Sequence, residues 1–265
     1  MSHPNQIAFV AACSTLLARH LTDGSVVEIG SYDVNGNIRA HFTWAKRYTG
    51  IDLVAGPGVD IVDSGHEFGE SNTYDISISC EAFEHNPYWL ETFLNMIRIT
   101  RPNGVVLFTC ASKGRAEHGT ERTSQTDSPG TTSIGWSYYR NLDTKDFTSR
   151  IDLDRHFGFH RFYRVKSTRD LYFIGIKREY AASASAADQP TWLQQEIGEL
   201  DRLIADMNAI RSTPSPSGHP ILRTLRMLPV RLAEAILPDD WYQDFRFHYL
   251  KQTDRLRRYL LGGTE

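Results

Sequence analysis

The chain has 265 residues, 40% of them apolar and 23% charged, with a net charge of −3. That length and balance suit one full-sized soluble domain with an appendage and exclude a disordered chain. A pI near 6.4 gives no overall basic field for wrapping nucleic acid, so a nucleic-acid partner is not expected. Three scattered cysteines, Cys13, Cys80 and Cys110, show no CxxC spacing, which points away from a disulfide framework and towards a reducing, cytoplasmic setting. The apolar stretch Ile7–Leu17 carries Ser14 and Thr15 and is too short to span a bilayer, so no transmembrane segment is expected.

The predicted elements alternate. Pro4–His20 reads as a helix, followed by a strand over Val26–Ile29 that ends at Gly30. Further strands are predicted at Arg47–Ile51, Val59–Val62 and Tyr74–Ser79. Pro87–Thr100 is a helix by its apolar spacing, with Pro87 in the first turn. The turn Arg101-Pro102-Asn103-Gly104 then introduces a fifth strand, Val105–Cys110. Phe159–Val165 and Leu171–Ile176 are separated only by Lys166–Asp170, room for an antiparallel hairpin but not for a crossover helix. The expected fold is therefore α/β: a Rossmann-like, doubly wound seven-stranded sheet of five parallel strands closed by an antiparallel hairpin.

Two stretches break the rhythm. Ala111–Asn141, rich in Gly, Ser and Thr, has the length of a functional lid or binding loop. Ala181–Pro190 reads as a linker that divides a domain over 1–180 from a helical extension over 181–265. The extension is predicted to form helices at Trp192–Ile210 and Ile221–Leu237, split by Ser212–Pro220, with Pro229 interrupting the second apolar stripe. An aromatic tail, Trp241–Tyr249, and the basic run Arg255–Arg258 follow. Self-association is the plainest role for this extension, beside docking to a partner or to a membrane surface.

Doubly wound sheets bind ligands beyond the carboxyl ends of their strands. Glu28 and Gly30 end the first strand, Ser31 follows, and Asp52-Leu53 closes the second, where a carboxylate can accept both hydroxyls of a ribose. Glu28 and Asp52 read equally as solvated strand ends. A GxGxxG turn and a GxxxxGK[ST] loop are both absent, and Asp33 stands where a pyrophosphate would sit. These features suit a cofactor with a ribose and a cationic amino-acid end but no phosphate.

Across Val26–Lys177 the chain resembles the class I S-adenosylmethionine-dependent methyltransferases. Val26-Val27-Glu28-Ile29-Gly30, Gly50-Ile51-Asp52-Leu53, Tyr74–Glu81 and Arg101–Leu107 match that family's motifs in order. The resemblance implies that Glu28 and Gly30 face the methionine part of S-adenosylmethionine and Asp52 its ribose. Ser64-Gly65-His66 falls where many members carry Asp-Ala-His beside the adenine, which leaves this chain without that aspartate. Cys80 is expected as a wall of the cofactor site rather than as a nucleophile.

The stretch Glu81-Ala82-Phe83-Glu84-His85 is a second signal. On a helix, residues at i, i+3 and i+4 share a face, so Glu81, Glu84 and His85 would converge. Two carboxylates and an imidazole suit a divalent ion such as Mg²⁺ or Mn²⁺, with His118 on the long loop as a fourth ligand. This stretch is similar to that of two metal-dependent groups, the small-RNA 3′-terminal 2′-O-methyltransferases and the O-methyltransferases of ubiquinone biosynthesis. The resemblance implies a metal held by Glu81, Glu84, His85 and His118 and catalysis centred on His85, His118 and Glu84. Metal-free methyltransferases carry the same stretch as a helix cap, and in that reading His118 or His85 is the general base. Arg115, Thr120, Arg122, Trp136, Tyr138, Tyr139 and Arg140 are expected to line an acceptor pocket suited to a polyhydroxylated molecule. The expectation is thus a methyltransferase acting on a sugar or other vicinal-diol hydroxyl of a small-molecule or glycan acceptor. Homo-oligomers formed through the C-terminal helices are expected as well. A metal-free carboxyl, phenol or N-methyltransferase and a non-catalytic cofactor-binding subunit of a glycan-assembly complex are the alternatives.

Overall fold

Runs of β-branched and aromatic residues become the strands, and the apolar residues spaced at three and four become the helices that cover them. A computed structural model describes residues 3–21, 23–178, 191–209 and 220–260. The strands are β1 (Ser25–Ile29), β2 (Arg47–Asp52), β3 (Ile61–Val62), β4 (Tyr74–Cys80), β5 (Thr100–Ala111), β6 (Phe157–Val165) and β7 (Asp170–Lys177). They form one sheet in the order β3-β2-β1-β4-β5-β7-β6. The first five run parallel, while β7 pairs antiparallel with β5 and β6, as the short link between the last two strands requires.

Helix α1 (Pro4–Ala18) packs with α6 (Thr191–Ala209) on one face of the sheet, around Phe9, Leu17, Val26, Ile76 and Leu200. Helices α2 (Trp89–Ile99), α4 (Thr144–Thr148) and α5 (Leu153–His156) cover the other face around Phe93, Met96, Phe108, Phe147 and Leu153. Central strands covered on both faces can be almost wholly apolar, and Glu28 is the one polar residue in the buried run Val26–Ile29 of β1. Helix α3 (Pro129–Ser133) is a short turn within the long loop. Helices α7 (Pro220–Ile236) and α8 (Asp239–Leu260) pair around a small core of Val230, Ala233 and Tyr242.

Several expectations need correction. Helix α2 starts at Trp89 rather than Pro87, because the Asn86 side chain accepts the Tyr88 N–H at 2.8 Å and shapes a turn first. β3 is half its expected length: the Val59 N–H bonds back to Gly56 and bends the chain there. The turn at Arg101–Gly104 is a bulge inside a longer β5, where Asn103 has φ of 61° and the pairing with β4 shifts. Pro229 does not break α7. Proline removes one backbone bond, and packing of Val230 and Ala233 on α8 holds the helix across it. The aromatic tail and basic run belong to α8, whose first turn carries Asp239 and Asp240 at the favourable end of the helix dipole. The linker at 181–190 lies outside the described residues. Among them, no helix is long and apolar enough to cross a membrane.

Candidate active site

A cleft with about 1010 Å³ of open space lies beyond the carboxyl ends of β1, β2 and β4. Glu28, Gly30, Ser31, Asp52, Leu53, Gly65, His66 and Cys80 all line it. Ser64 does not; its hydroxyl instead holds Nδ1 of His66 at 2.5 Å, and the His66 ring stacks on Tyr88 at 4.5 Å. Asp63, one residue before Ser64, where the family motif carries an aspartate and this chain does not, lines the cleft. Its carboxylate accepts the Ser64 N–H at 2.7 Å.

Gly30 is required twice over. Its φ is 82°, and a Cβ there would stand 2.6 Å from that of Ala82. The chain leaving β4 therefore crosses directly over the end of β1. Glu28 is buried at the strand end, where the Tyr48 hydroxyl donates to it at 2.7 Å. Burial pushes this carboxyl up to about 7, against the pull of Tyr48 and Arg39. Burial also raises Asp52, opposed by the backbone N–H groups of Tyr32 at 3.1 Å and Leu53 at 2.8 Å. The Cys80 thiol is raised by burial first and by Glu28 second, so it stays protonated and un-nucleophilic.

The long loop folds over this cleft. Asp127, Ser128, Pro129, Gly130, Thr131 and Trp136 line it, and a Cβ on Gly130 would come within 2.7 Å of an Asp52 oxygen. Of the seven loop residues expected around an acceptor, only Trp136 lines this cleft. Arg115 pairs with Asp170 at 3.0 Å, Arg140 pairs with Asp146 at 2.8 Å, and Arg122 pairs with Glu117 and Asp244. These arginines are committed to holding the loop in place. Helix α8 braces it as well: Gln243 bonds both Glu117 and Arg115, and Tyr242 bonds Gly114.

The Glu81–His85 stretch is not one helical face. Glu81 lies outside the short 3₁₀ turn Phe83–His85, with a left-handed φ of 52° and its N–H tied to Thr109. A non-glycine residue in that region is strained, and such residues gather at functional sites. The expected four-residue set accordingly divides. Glu84, His85 and His118 place one ligating atom each within 4.8 Å of one another. Glu81 falls into a neighbouring group with His3 and Asp170, with His3 Nε2 at 2.9 Å from Asp170 and 3.8 Å from Glu81. His85 and Glu81 both line the cleft, so both groups border it.

Both carboxylate oxygens of Glu84, both ring nitrogens of His85 and Nε2 of His118 are buried with no hydrogen-bond partner among the described residues. Leaving such atoms unpartnered is costly. His118 Nδ1 sits 3.1 Å from the Ala116 carbonyl, an arrangement that places the proton there and leaves the Nε2 lone pair free. Burial first, then the negative charge of Glu81, pushes Glu84 up to about 8. Burial holds His118 down at about 4 and His85 well below the usual imidazole range. Tyr139 closes the group, its ring 5.5 Å from His85 and 5.1 Å from His118. Gly119 admits His85 beside the loop, because a Cβ there would lie 2.7 Å from its Cε1. An orphaned carboxylate with neutral imidazoles, one of them oriented by a carbonyl, fits the donor set of a divalent cation.

Sequence reasoning missed His3, Asp63, Asp170, Gly119 and Gly130. The two glycines sit in the Gly-rich loop that was singled out, but the surfaces they face belong to distant parts of the chain. His3 and Asp170 carry no local signal at all, since only the closed sheet brings them to Glu81.

No protein-family model matches the chain, and no curated protein matches it. Among solved structures it is similar to the 1,6-didemethyltoxoflavin-N1-methyltransferase of Burkholderia thailandensis with bound S-adenosylhomocysteine. The identity is 14% over 65% of this chain and 79% of that one, with a TM-score of 0.46. The N-methyltransferase NodS of Bradyrhizobium japonicum, also with S-adenosylhomocysteine, is 13% identical over 65% of this chain and 86% of its own, with a TM-score of 0.43. Phosphoethanolamine N-methyltransferase 2 of Haemonchus contortus, with S-adenosyl-L-methionine, is 14% identical over 62% and 52%, with a TM-score of 0.44. Likeness this distant bears on neither the substrate nor the chemistry of this chain.

Proposed function

We propose that the protein is an S-adenosylmethionine-dependent O-methyltransferase that acts on a sugar or other vicinal-diol hydroxyl with the help of a divalent cation such as Mg²⁺ or Mn²⁺. The observation that carries this reading is the group Glu84, His85 and His118, whose orphaned donor atoms meet beside a cleft shaped for a ribose-bearing cofactor. Glu28 would face the cationic amino-acid end of the cofactor and Asp52 its ribose. Gly30 and Ser31 would let the backbone approach it, while Asp63, Gly65 and His66 would border the base.

Glu84, His85 and His118 would hold the cation, and Glu81 stands beside them as the remaining acid. When bound, such an ion lowers the pKa of a coordinated hydroxyl and can hold two adjacent hydroxyls of a diol. The chain's own task is alignment: the strand ends fix the methyl donor, and Tyr139 and Gly119 hold the two histidines. A histidine base is the weaker reading, because an imidazole held down at about 4 is a poor acceptor for a hydroxyl proton near neutral pH. The same neutral imidazole is the form that binds metal.

The C-terminal helices are proposed to pair copies of the chain. Leu225, Leu228, Leu232 and Ile236 are exposed along one side of α7 at spacings of three and four. Sedimentation of a Leu228→Glu/Leu232→Glu variant tests this, with a monomer expected.

The test of the central reading is transfer of a labelled methyl group to a panel of free sugars and nucleosides, before and after exhaustive chelation. Methylation of vicinal diols that disappears on chelation and returns with Mn²⁺ is expected. Transfer that is indifferent to chelation, or confined to amines, would overturn it.

A further inference from the structure

Outside the cleft, a second groove lies between α7 and the start of the long loop. Its wall is made of Lys113, Arg164, Arg169, Arg231, Glu234 and Ala235, four cationic side chains against one acid. Two of the cations are partly committed: Arg169 pairs with Glu234 at 2.8 Å and Arg164 with Asp143 at 3.1 Å. Lys113 and Arg231 are exposed, and their side chains have no ion pair among the described residues. Like charges gathered without counter-charges repel one another unless an anion joins them.

The groove is built rather than incidental. Arg169 occupies the left-handed region at φ 62°, in the turn that enters β7. From there its guanidinium reaches both the Gly114 carbonyl and Glu234 of α7. The Glu234 carboxylate fills the space that a Cβ on Gly114 would need, so glycine at 114 lets this side chain lie close against the loop. On both walls the chain alternates between this groove and the opposite side, where the Glu81 group lies. Lys113 faces the groove, while Arg115, two residues on and within about 7 Å along the chain, reaches Asp170. Arg169 faces the groove, while Asp170, the next residue, belongs to the group with Glu81 at the edge of the cleft.

We propose that this groove, outside the cleft, is a binding site for the phosphate or diphosphate group of a ligand. It goes beyond the methyltransferase reading and does not depend on it. A planar guanidinium fork from Arg231 and a mobile ammonium from Lys113 are the pair of donors that phosphate oxygens take. The anion can be presented by a soluble sugar phosphate or by a phosphate headgroup at a lipid surface, and the chemistry of recognition is the same.

The test uses the full chain. Inorganic pyrophosphate is titrated calorimetrically into wild type and into a Lys113→Ala/Arg231→Ala variant, and S-adenosylhomocysteine is titrated into both. In parallel, co-sedimentation is measured with phosphatidylcholine vesicles containing phosphatidic acid and with pure phosphatidylcholine vesicles. The expected result is one pyrophosphate per chain, weakened at least tenfold by the double substitution and by added salt, with S-adenosylhomocysteine affinity unchanged. Binding only to phosphatidic acid vesicles, lost in the variant, supports the groove and assigns the anion to a lipid headgroup. Absence of binding in both arms, or binding that the double substitution leaves intact, overturns the proposal. Failure of S-adenosylhomocysteine to bind wild type would overturn the cofactor reading of the cleft and not the anion site.

Discussion

The two halves of the cleft differ in how their polar atoms are treated. On the side of β1 and β2, Glu28 has the Tyr48 hydroxyl and Asp52 has two backbone N–H groups. On the side of Glu84, His85 and His118, five buried donor atoms have no well-formed hydrogen bond among the described residues. One half is organised before its ligand arrives, and the other stores an unmet electrostatic demand. Ser31 Oγ on the first side is orphaned too, but the concentration of carboxylate and imidazole atoms on the second is the kind that a bound ligand meets, as at sites built for function at the expense of stability.

The largest effect expected from this contrast comes from the unsatisfied half. Glu84→Ala should lower methyl transfer by roughly 1,000-fold, on the order of 4 kcal/mol of transition-state stabilisation, while S-adenosylhomocysteine still binds. Its companion separates function from folding. Glu84→Met removes the buried carboxylate and keeps the volume, so the metal-free protein should melt no lower than wild type. A clear loss of Tm would mean that Glu84 is held by the fold for structural reasons.

On the organised half, Gly30→Ala combines a φ of 82° with a Cβ 2.6 Å from that of Ala82. About 2 to 3 kcal/mol of lost stability or cofactor affinity is expected, measured by chemical unfolding and calorimetry. Gly36→Ala is the control for unfolding: its φ is 104°, but no atom of the chain lies within 4 Å, so its stability cost is the backbone strain alone.

The pH dependence of cofactor binding should report Glu28. Its carboxyl titrates at about 7 in the free protein, and the cationic ammonium of S-adenosylhomocysteine prefers the ionised form. Affinity should therefore rise with pH up to about 7 and level off above it. Below 7 the fall approaches tenfold per pH unit. Glu28→Gln should flatten that profile. An unchanged profile in the variant would show that Glu28 does not face the amino-acid end of the cofactor. The smallest effect belongs to Tyr48→Phe, which removes the donor at 2.7 Å. It should weaken binding by about 1 kcal/mol and move the midpoint of the profile upwards.

The sheet was legible because each strand advertises itself: buried β-branched runs, a glycine or proline turn at the end, and a helix-period segment between. The antiparallel finish followed from a five-residue link alone. That Glu28, Gly30 and Asp52 would share one cleft was legible for the same reason, since they sit at strand ends whose place in the sheet is set by topology. The Glu81–His85 side was only half legible. Glu84, His85 and His118 do meet, but Glu81 was assigned to them through helical spacing, and a left-handed residue at position 81 breaks that spacing. The role of the loop arginines was illegible, because their partners Asp170, Asp146 and Asp244 lie up to 122 residues away. Pro229 argued for a break that tertiary packing overrides.

The most direct test is Mn²⁺ binding to the full chain, stripped of metal and saturated with S-adenosylhomocysteine, followed by electron paramagnetic resonance. Wild type should take up one Mn²⁺ per chain, with affinity rising up to pH about 8, where Glu84 loses its proton. A Glu84→Gln/His118→Ala variant should take up none while keeping its S-adenosylhomocysteine. Wild type that binds S-adenosylhomocysteine but no Mn²⁺, or a variant that still binds the ion, would contradict the assignment of Glu84, His85 and His118 as a metal centre.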